Sequence, residues 1–326
     1  MKAVYVKEFG GVENLEIREV ENPSPPTESE VLVAVKASAL NRADILQRKG
    51  LYPAPKGFPE RILGLEFAGE VAEIGENVSD FKIGDRVFGI TAGGAQAEFI
   101  ISDKGLLVKI PDNLSFTEAA AIPEAFITAH DAIFTLGNLR KSETLLIHAV
   151  GSGVGLAALQ LAKAKDIRVL GTSRTIEKLE KCQEFGLDEA ILADENLSET
   201  IRQKNNGKSV DVILDLVGAK YFQVNLESLN SKGRLILVGL TSGAKTEFNL
   251  GMALAKRLTI IGTVLRSRSL EEKAEATVKF AQEVIPLIEA GKIQPNIDRI
   301  FQIEEIQKAH EYLESNESFG KVILEL

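Results

Sequence analysis

The sequence predicts an α/β protein with a doubly wound parallel sheet and a separate strand-rich, β-barrel-like domain, and three observations carry that prediction. Residues 144–163, TLLIHAVGSGVGLAALQLAK, pass from a short apolar run through three glycines into a stretch with one apolar helical face. Apolar, β-branched runs recur at 167–171, 210–215 and 234–239, with stretches rich in Lys, Glu and Leu between them. Strands alternating with helices at this spacing build a parallel sheet. Before residue 121 the texture differs, with many short strands separated by turn residues.

Taken in order, residues 1–6 and 15–20 read as strands flanking the turn at Gly10-Gly11, and Pro23, Pro25 and Pro26 mark a loop. Strands follow at 31–39 and 65–74, the second ending in the turn Gly75-Glu76-Asn77, and residues 82–88 turn into another. Helical periodicity over 117–136 is broken by Pro123. Residues 270–290 form a long amphipathic helix closed by Gly291, followed by a strand at 300–303, a helix at 304–314 and a last strand at 321–326. The expected domains are 1–123, a nucleotide-binding domain over 124–264, and 265–326 returning to the first. A chain of 326 residues has room for two cores.

A formal charge of −9 argues against a nucleic-acid surface or an anionic membrane as partner. The single cysteine, Cys182, excludes an intramolecular disulfide and any multi-cysteine metal site, and reads as an inert helix thiol. The first ten residues are too charged for a signal segment and no run approaches the ~20 apolar residues of a membrane span, so a cytoplasmic protein is expected.

The glycine cluster Gly151, Gly153 and Gly155 completes neither register of the G-x-G-x-x-G pattern. Ending at Gly155 puts Val150 and Ser152 in glycine slots; starting at Gly151 leaves Leu156 in the last. A plain tight turn and a pyrophosphate cradle both fit it, and the alternating strands that follow favour the cradle. Recognition of NAD normally uses an acidic residue at the end of the second strand. Here that strand runs into Ser173, Arg174 and Thr175, with no acid before Glu177 and with Lys178 one turn later. Hydroxyl, guanidinium and ammonium suit a 2′-phosphate, so NADPH is the expected cofactor.

The stretches Asn41-Arg42-Ala43-Asp44, Gly64-Leu65-Glu66, Gly84-Asp85-Arg86-Val87 and 148–155 resemble, from end to end, the medium-chain dehydrogenase/reductase superfamily. More narrowly, the chain resembles its zinc-free, zeta-crystallin-like quinone oxidoreductase branch. SALNRADILQRKGLY, AAAIPEAFITAH and TVLRSRS are similar to the subgroup that includes the tumour-suppressor-inducible quinone oxidoreductase. The resemblance implies a GroES-like catalytic domain built from both ends of the chain, a Rossmann domain between, and a homodimer pairing through residues 258–265. Zinc-dependent relatives have cysteine where Asn41 stands and histidine where Leu65 stands, and lack of both ligands implies chemistry without metal. By the same resemblance Asn41, Thr128, Val238, Gly239 and Leu265 line the nicotinamide, Ser152, Gly153 and Val154 hold the pyrophosphate, and Lys321 contacts the cofactor. A tyrosine after the third strand of relatives is Ala193 here. Tyr52 matches the position of a candidate proton donor, and the alternative reading, an aromatic wall on which a flat acceptor stacks, is the preferred one.

The implied activity is an NADPH-dependent reductase acting on a quinone or similar conjugated carbonyl. Enoyl or 2-alkenal reduction on the same scaffold and a non-catalytic NADPH-binding role are the alternatives. Serine hydrolysis lacks its G-x-S-x-G elbow.

Overall fold

A computed structural model describes residues 1–326. The chain divides into two compact units, Met1–Ile127 with Leu265–Leu326, and Thr128–Val264.

The first unit opens with an antiparallel pair, β1 (Lys2–Val6) and β2 (Leu15–Glu19). β3 (Glu30–Leu40) is its longest strand, and it alternates buried and part-exposed residues before turning wholly inward at 38–40. α1 (Arg42–Arg48) starts at Asn41, whose backbone N–H donates to Asp44 Oδ2 at 2.7 Å. β4 (Glu66–Ile74), β5 (Arg86–Ile90), β6 (Phe99–Asp103) and β7 (Leu107–Lys109) follow. Two helices end this stretch: α2 (Phe116–Ala120), capped by Ser115, and α3 (Pro123–His130), which Pro123 opens because a first-turn proline forfeits no helical hydrogen bond.

The second unit begins within α3, which widens into a π-helical turn over Asp131–Leu136. It then alternates strand and helix: β8 (Thr144–Ile147), α4 (Gly153–Ala164), β9 (Arg168–Ser173), α5 (Ile176–Glu184), β10 (Glu189–Leu192), α6 (Leu197–Lys204), β11 (Val210–Asp215), α7 (Phe222–Ser228), β12 (Leu229–Leu237), α8 (Leu250–Lys256) and β13 (Thr259–Gly262). All six strands are parallel, in the order β10-β9-β8-β11-β12-β13. The order reverses direction at β8/β11, the switch point where open α/β sheets bind ligands at their strand ends. β12 starts earlier than the run 234–239 suggests, because its left-handed Lys232 (φ 64°) and the register shift at Val210/Val212 admit a longer, irregular strand.

The chain then re-enters the first unit through α9 (Leu270–Glu289), β14 (Ile297–Gln302), α10 (Ile306–Ser315) and β15 (Lys321–Glu325). β15 pairs antiparallel with β3, so the last strand completes a seven-stranded sheet in the order β14-β15-β3-β4-β5-β7, with β6 paired to β3. Its core includes a cluster around Val4, Leu40, Leu63, Leu313 and Leu324 and another around Val33, Phe67, Val87 and Leu107. The second unit has its own, around Leu146, Leu170, Ile213, Leu226 and Leu235.

Candidate functional site

In the first unit, the fully buried Glu66 at the start of β4 is the hub. Its Oε1 accepts from Lys321 Nζ at 2.6 Å and from Asn41 Nδ2 at 2.7 Å, and its Oε2 accepts from the Glu124 backbone N–H at 2.8 Å. Lys321 Nζ also donates to Asn41 Oδ1 at 2.8 Å and to the Leu40 carbonyl at 3.3 Å. Lys321, expected as a cofactor contact, is 5% exposed, and its hydrogen bonds run to these groups of its own unit. Asp44 is buried below them and accepts from Gly64 N–H at 3.0 Å. Gly64 must be glycine: its φ is 103°, and a Cβ would come within 2.6 Å of the Gln96 nitrogen.

Tyr52 lies in the irregular stretch after α1, half-buried. Arg266, just past the point of return, is 4% exposed and lies 4.9 Å from the Tyr52 ring centroid. It donates to the Ala92 carbonyl at 2.7 Å, to the Tyr52 carbonyl at 3.3 Å and to Gln47 Oε1. Burial pushes the Tyr52 phenol up, and the Arg266 cation opposes that.

Glu124, in the first turn of α3, belongs to the same cluster. Burial, and then the nearby Glu66 carboxylate, push its carboxyl up to about 8, against the pull of Lys321 and Arg266. Asp44 is pushed up to about 6 by burial, with backbone N–H donors, Lys321 and Arg266 opposing. The consequence is measurable. Between the ordinary carboxyl value of 4.5 and about 8, the folded chain binds more protons at Glu124 than the unfolded chain does, so this group's stabilising contribution is lost as pH rises through that window. Relative to wild type, Glu124→Gln is expected to gain stability from pH 5 to 8.5 and to level off above. At roughly 2–4 °C per kcal/mol the gain appears as several degrees of Tm; a Tm difference that does not change with pH is the contrary result.

In the second unit, Gly151 and Ser152 end the turn from β8, and Gly153, Val154 and Gly155 open α4. Ser152 caps the helix by accepting from Gly155 N–H at 3.2 Å, and the first turn carries no acidic residue. A Cβ on Gly155 would lie 2.6 Å from the Ala149 and Val150 carbonyls, so only glycine lets helix and strand approach this closely. A twelve-residue helix whose first turn carries no carboxylate fits a pyrophosphate at its N-terminus. Ser173 ends β9, 8% exposed; Arg174 is exposed, and Lys178 lies one turn into α5. Val238 and Gly239 follow β12, their N–H groups donating to the Asp215 carbonyl at 2.9 and 3.2 Å, and Thr128 is partly exposed on α3. The expected residues therefore divide, with Asn41, Tyr52, Leu265 and Lys321 in the first unit and the remainder in the second.

Sequence reasoning assigned no role to Asp44, Arg266 or Glu124, although all three stand in stretches that carried the resemblance. The usable signal is a charged residue inside an otherwise apolar run, as Glu124 is within AAAIPEAF. Cys182 is fully buried on α5, and burial pushes its thiol up to about 12. His130, His148 and His310 lie apart on α3, after β8 and on α10. No helix is long and apolar enough to cross a membrane.

Residues 27–112 match the family described as an alcohol dehydrogenase GroES-like domain, and residues 153–283 the family described as a zinc-binding dehydrogenase. The residues present do not fit the zinc of that second description. No three His, Cys, Asp or Glu side chains are placed to hold a metal ion, Asn41 and Leu65 offer neither thiolate nor imidazole, and both Glu66 oxygens are engaged by donors. A quinone oxidoreductase of Pseudomonas aeruginosa is 35% identical over 99% of this chain and 99% of its own length. The Escherichia coli quinone oxidoreductase solved with NADPH superposes with a TM-score of 0.90 at 30% identity, covering 100% of both chains. The CurK enoyl reductase superposes with a TM-score of 0.88 at 26% identity, covering 99% of this chain and 98% of its own. With a GroES-like unit built from both ends of the chain, a Rossmann unit between them and full-length relatives of this kind, the chain is an oxidoreductase that belongs to the quinone oxidoreductase family of the medium-chain dehydrogenase/reductase superfamily.

Proposed function

We propose that the protein is a metal-independent, NADPH-dependent reductase of quinones or similar conjugated carbonyls. The observation that carries the cofactor half is the end of β9 and the turn after it, where Ser173 and Arg174 stand with no acid before Glu177. The bound nicotinamide supplies the hydride; the protein binds, orients and manages protons. Ser152, Gly153 and Val154 hold the pyrophosphate at the start of α4. In the second unit, Thr128, Val238 and Gly239 are the candidate ring contacts; in the first unit they are Leu265 and Asn41, the latter held by Glu66 and Lys321. The quinone half is supported by the names of the relatives and by the flat wall that Tyr52 offers, backed by Arg266.

Each charge-assisted hydrogen bond to the 2′-phosphate contributes about 1.5–3 kcal/mol. The double variant Arg174→Ala/Lys178→Ala is therefore expected to lose most of a preference for NADPH over NADH while keeping its affinity for NADH. Calorimetric titration with both dinucleotides checks this, and equal affinities in the wild type refute it. NADPH oxidation against quinones, enals and enoyl thioesters tests the acceptor.

A homodimer is part of the same proposal. β13 pairs only with β12, leaving an apolar edge strand, Thr259–Gly262, with Ile260 and Ile261 partly exposed. Light scattering at micromolar concentration is expected to give twice the chain mass; a stable monomer counts against the pairing.

A further inference from the structure

We infer that Asn225 is a positioning residue for the dinucleotide, as the centre of a buried hydrogen-bonded chain, Thr172–His148–Asn225–Asp215, that sets the cofactor turns of the second unit against one another. The inference rests on the reading of that unit as an NADPH site.

The chain is continuous. His148 Nδ1 lies 2.9 Å from Thr172 Oγ1, His148 Nε2 lies 2.6 Å from Asn225 Oδ1, and Asn225 Nδ2 donates to Asp215 Oδ2 at 2.9 Å. None of the four residues is more than 1% exposed. Its polarity is also fixed. The Asn225 amide must turn its NH2 to the carboxylate, so its oxygen faces His148 and Nε2 carries the proton. Nδ1 is then an acceptor, and Thr172 donates to it. Burial holds the imidazole neutral, pushing its pKa down, while Asp215 and Asn225 oppose that shift. The Tyr221 ring covers His148 at a centroid distance of 4.8 Å.

Each member adjoins a turn the proposed function uses. His148 immediately precedes the turn 149–152, in which Ala149 is left-handed (φ 51°). Thr172 precedes Ser173 and Arg174, and its carbonyl accepts from Val150 N–H at 3.0 Å. Asp215 Oδ1 accepts from Val217 N–H at 2.7 Å and Gly218 N–H at 3.0 Å, while its carbonyl accepts from Val238 and Gly239. The side-chain network thus joins the ends of β8, β9 and β11, and the backbone carbonyl of Asp215 links it to the turn after β12. Apolar packing would stabilise these strands as well, since matched apolar replacements for a buried polar pair are often neutral. Packing is not directional. Hydrogen bonds fix the relative position of the turns that must grip one rigid ligand.

The test uses Asn225→Leu, Thr172→Val and their double variant, with calorimetric Kd values for NADPH and NADH measured well below each Tm. Asn225→Leu is expected to weaken both dinucleotides by about tenfold, the factor that one hydrogen bond's free energy carries. Thr172→Val is expected to weaken them less. The double variant should lose less than the product of the single losses, because both act on one chain. A folded Asn225→Leu with both Kd values within twofold of wild type overturns the inference, and so does multiplicative loss in the double variant. If Asn225→Leu does not fold, Thr172→Val decides: unchanged Kd values overturn the inference, and weakened binding of both dinucleotides supports it. Wild type that binds neither dinucleotide overturns the cofactor reading itself, and the inference with it.

Discussion

Lys321→Met is expected to cost the first unit about 3–5 kcal/mol, as loss of one partner of a buried ion pair does. The pair is well hidden, with side chains 6% exposed for Lys321 and fully buried for Glu66. Lys321 Nζ serves three oxygens, from Leu40, Asn41 and Glu66. Methionine keeps the stem's volume but removes the cation. The Glu66 carboxylate would then keep only neutral donors, Asn41 Nδ2 and the Glu124 N–H, while Asp44 and Glu124 stay close by. The double variant Glu66→Gln/Lys321→Met removes both charges and leaves an amide that can still accept from Asn41. It should recover much of the loss, giving a coupling of several kcal/mol against the additivity expected of independent sites. Urea midpoints of wild type, Lys321→Met, Glu66→Gln and the double variant measure it. A loss below about 1 kcal/mol for Lys321→Met would mean that the pair behaves like an exposed one.

The parallel sheet was legible because its strands are buried on both faces, so runs such as 210–215 hold consecutive apolar residues, Val212-Ile213-Leu214, rather than an apolar–polar alternation. β11 occupies those very residues, Val210–Asp215. The glycine turn was legible for the same local reason, since only glycine can stand at Gly155. Other features needed tertiary information. β12 begins at Leu229 because its neighbours accept an irregular register, and no local pattern announces that. The cluster around Glu66 joins residues 41, 44, 66, 124, 266 and 321. A glutamate such as Glu124 reads in sequence as an ordinary first-turn helix acid. Only the burial of its carboxyl beside Glu66 turns it into a group that holds its proton near neutrality. The buried chain from Thr172 to Asp215 was illegible on the same ground: four polar residues, on β9, β11, α7 and just after β8, share no sequence spacing.

Tyr52 decides between the two acceptor chemistries, because they differ in where the proton must come from. Hydride transfer to a quinone leaves an aromatic hydroquinone anion that water can protonate. Transfer to an enoyl thioester leaves an enolate, which needs a positioned acid near its adjacent carbon. Tyr52 can serve either chemistry in a different way. Its ring lies against Arg266, a flat surface held by a buried cation, and its phenol, pushed up by burial, stays protonated. Tyr52→Phe keeps the ring and removes only the hydroxyl, whereas Tyr52→Ala removes the surface. Under the proposed quinone activity, Tyr52→Phe is expected to retain most of kcat, and Tyr52→Ala to raise KM through lost stacking. Were the enoyl reading correct, Tyr52→Phe alone would lose the roughly 10²–10⁴-fold typical of a missing general acid. Steady-state kinetics of both variants on a quinone and on an enal separate the outcomes. A large kcat loss in the phenylalanine variant, with the enal preferred by wild type, would move the assignment from quinone to enoyl reduction and make Tyr52 its acid.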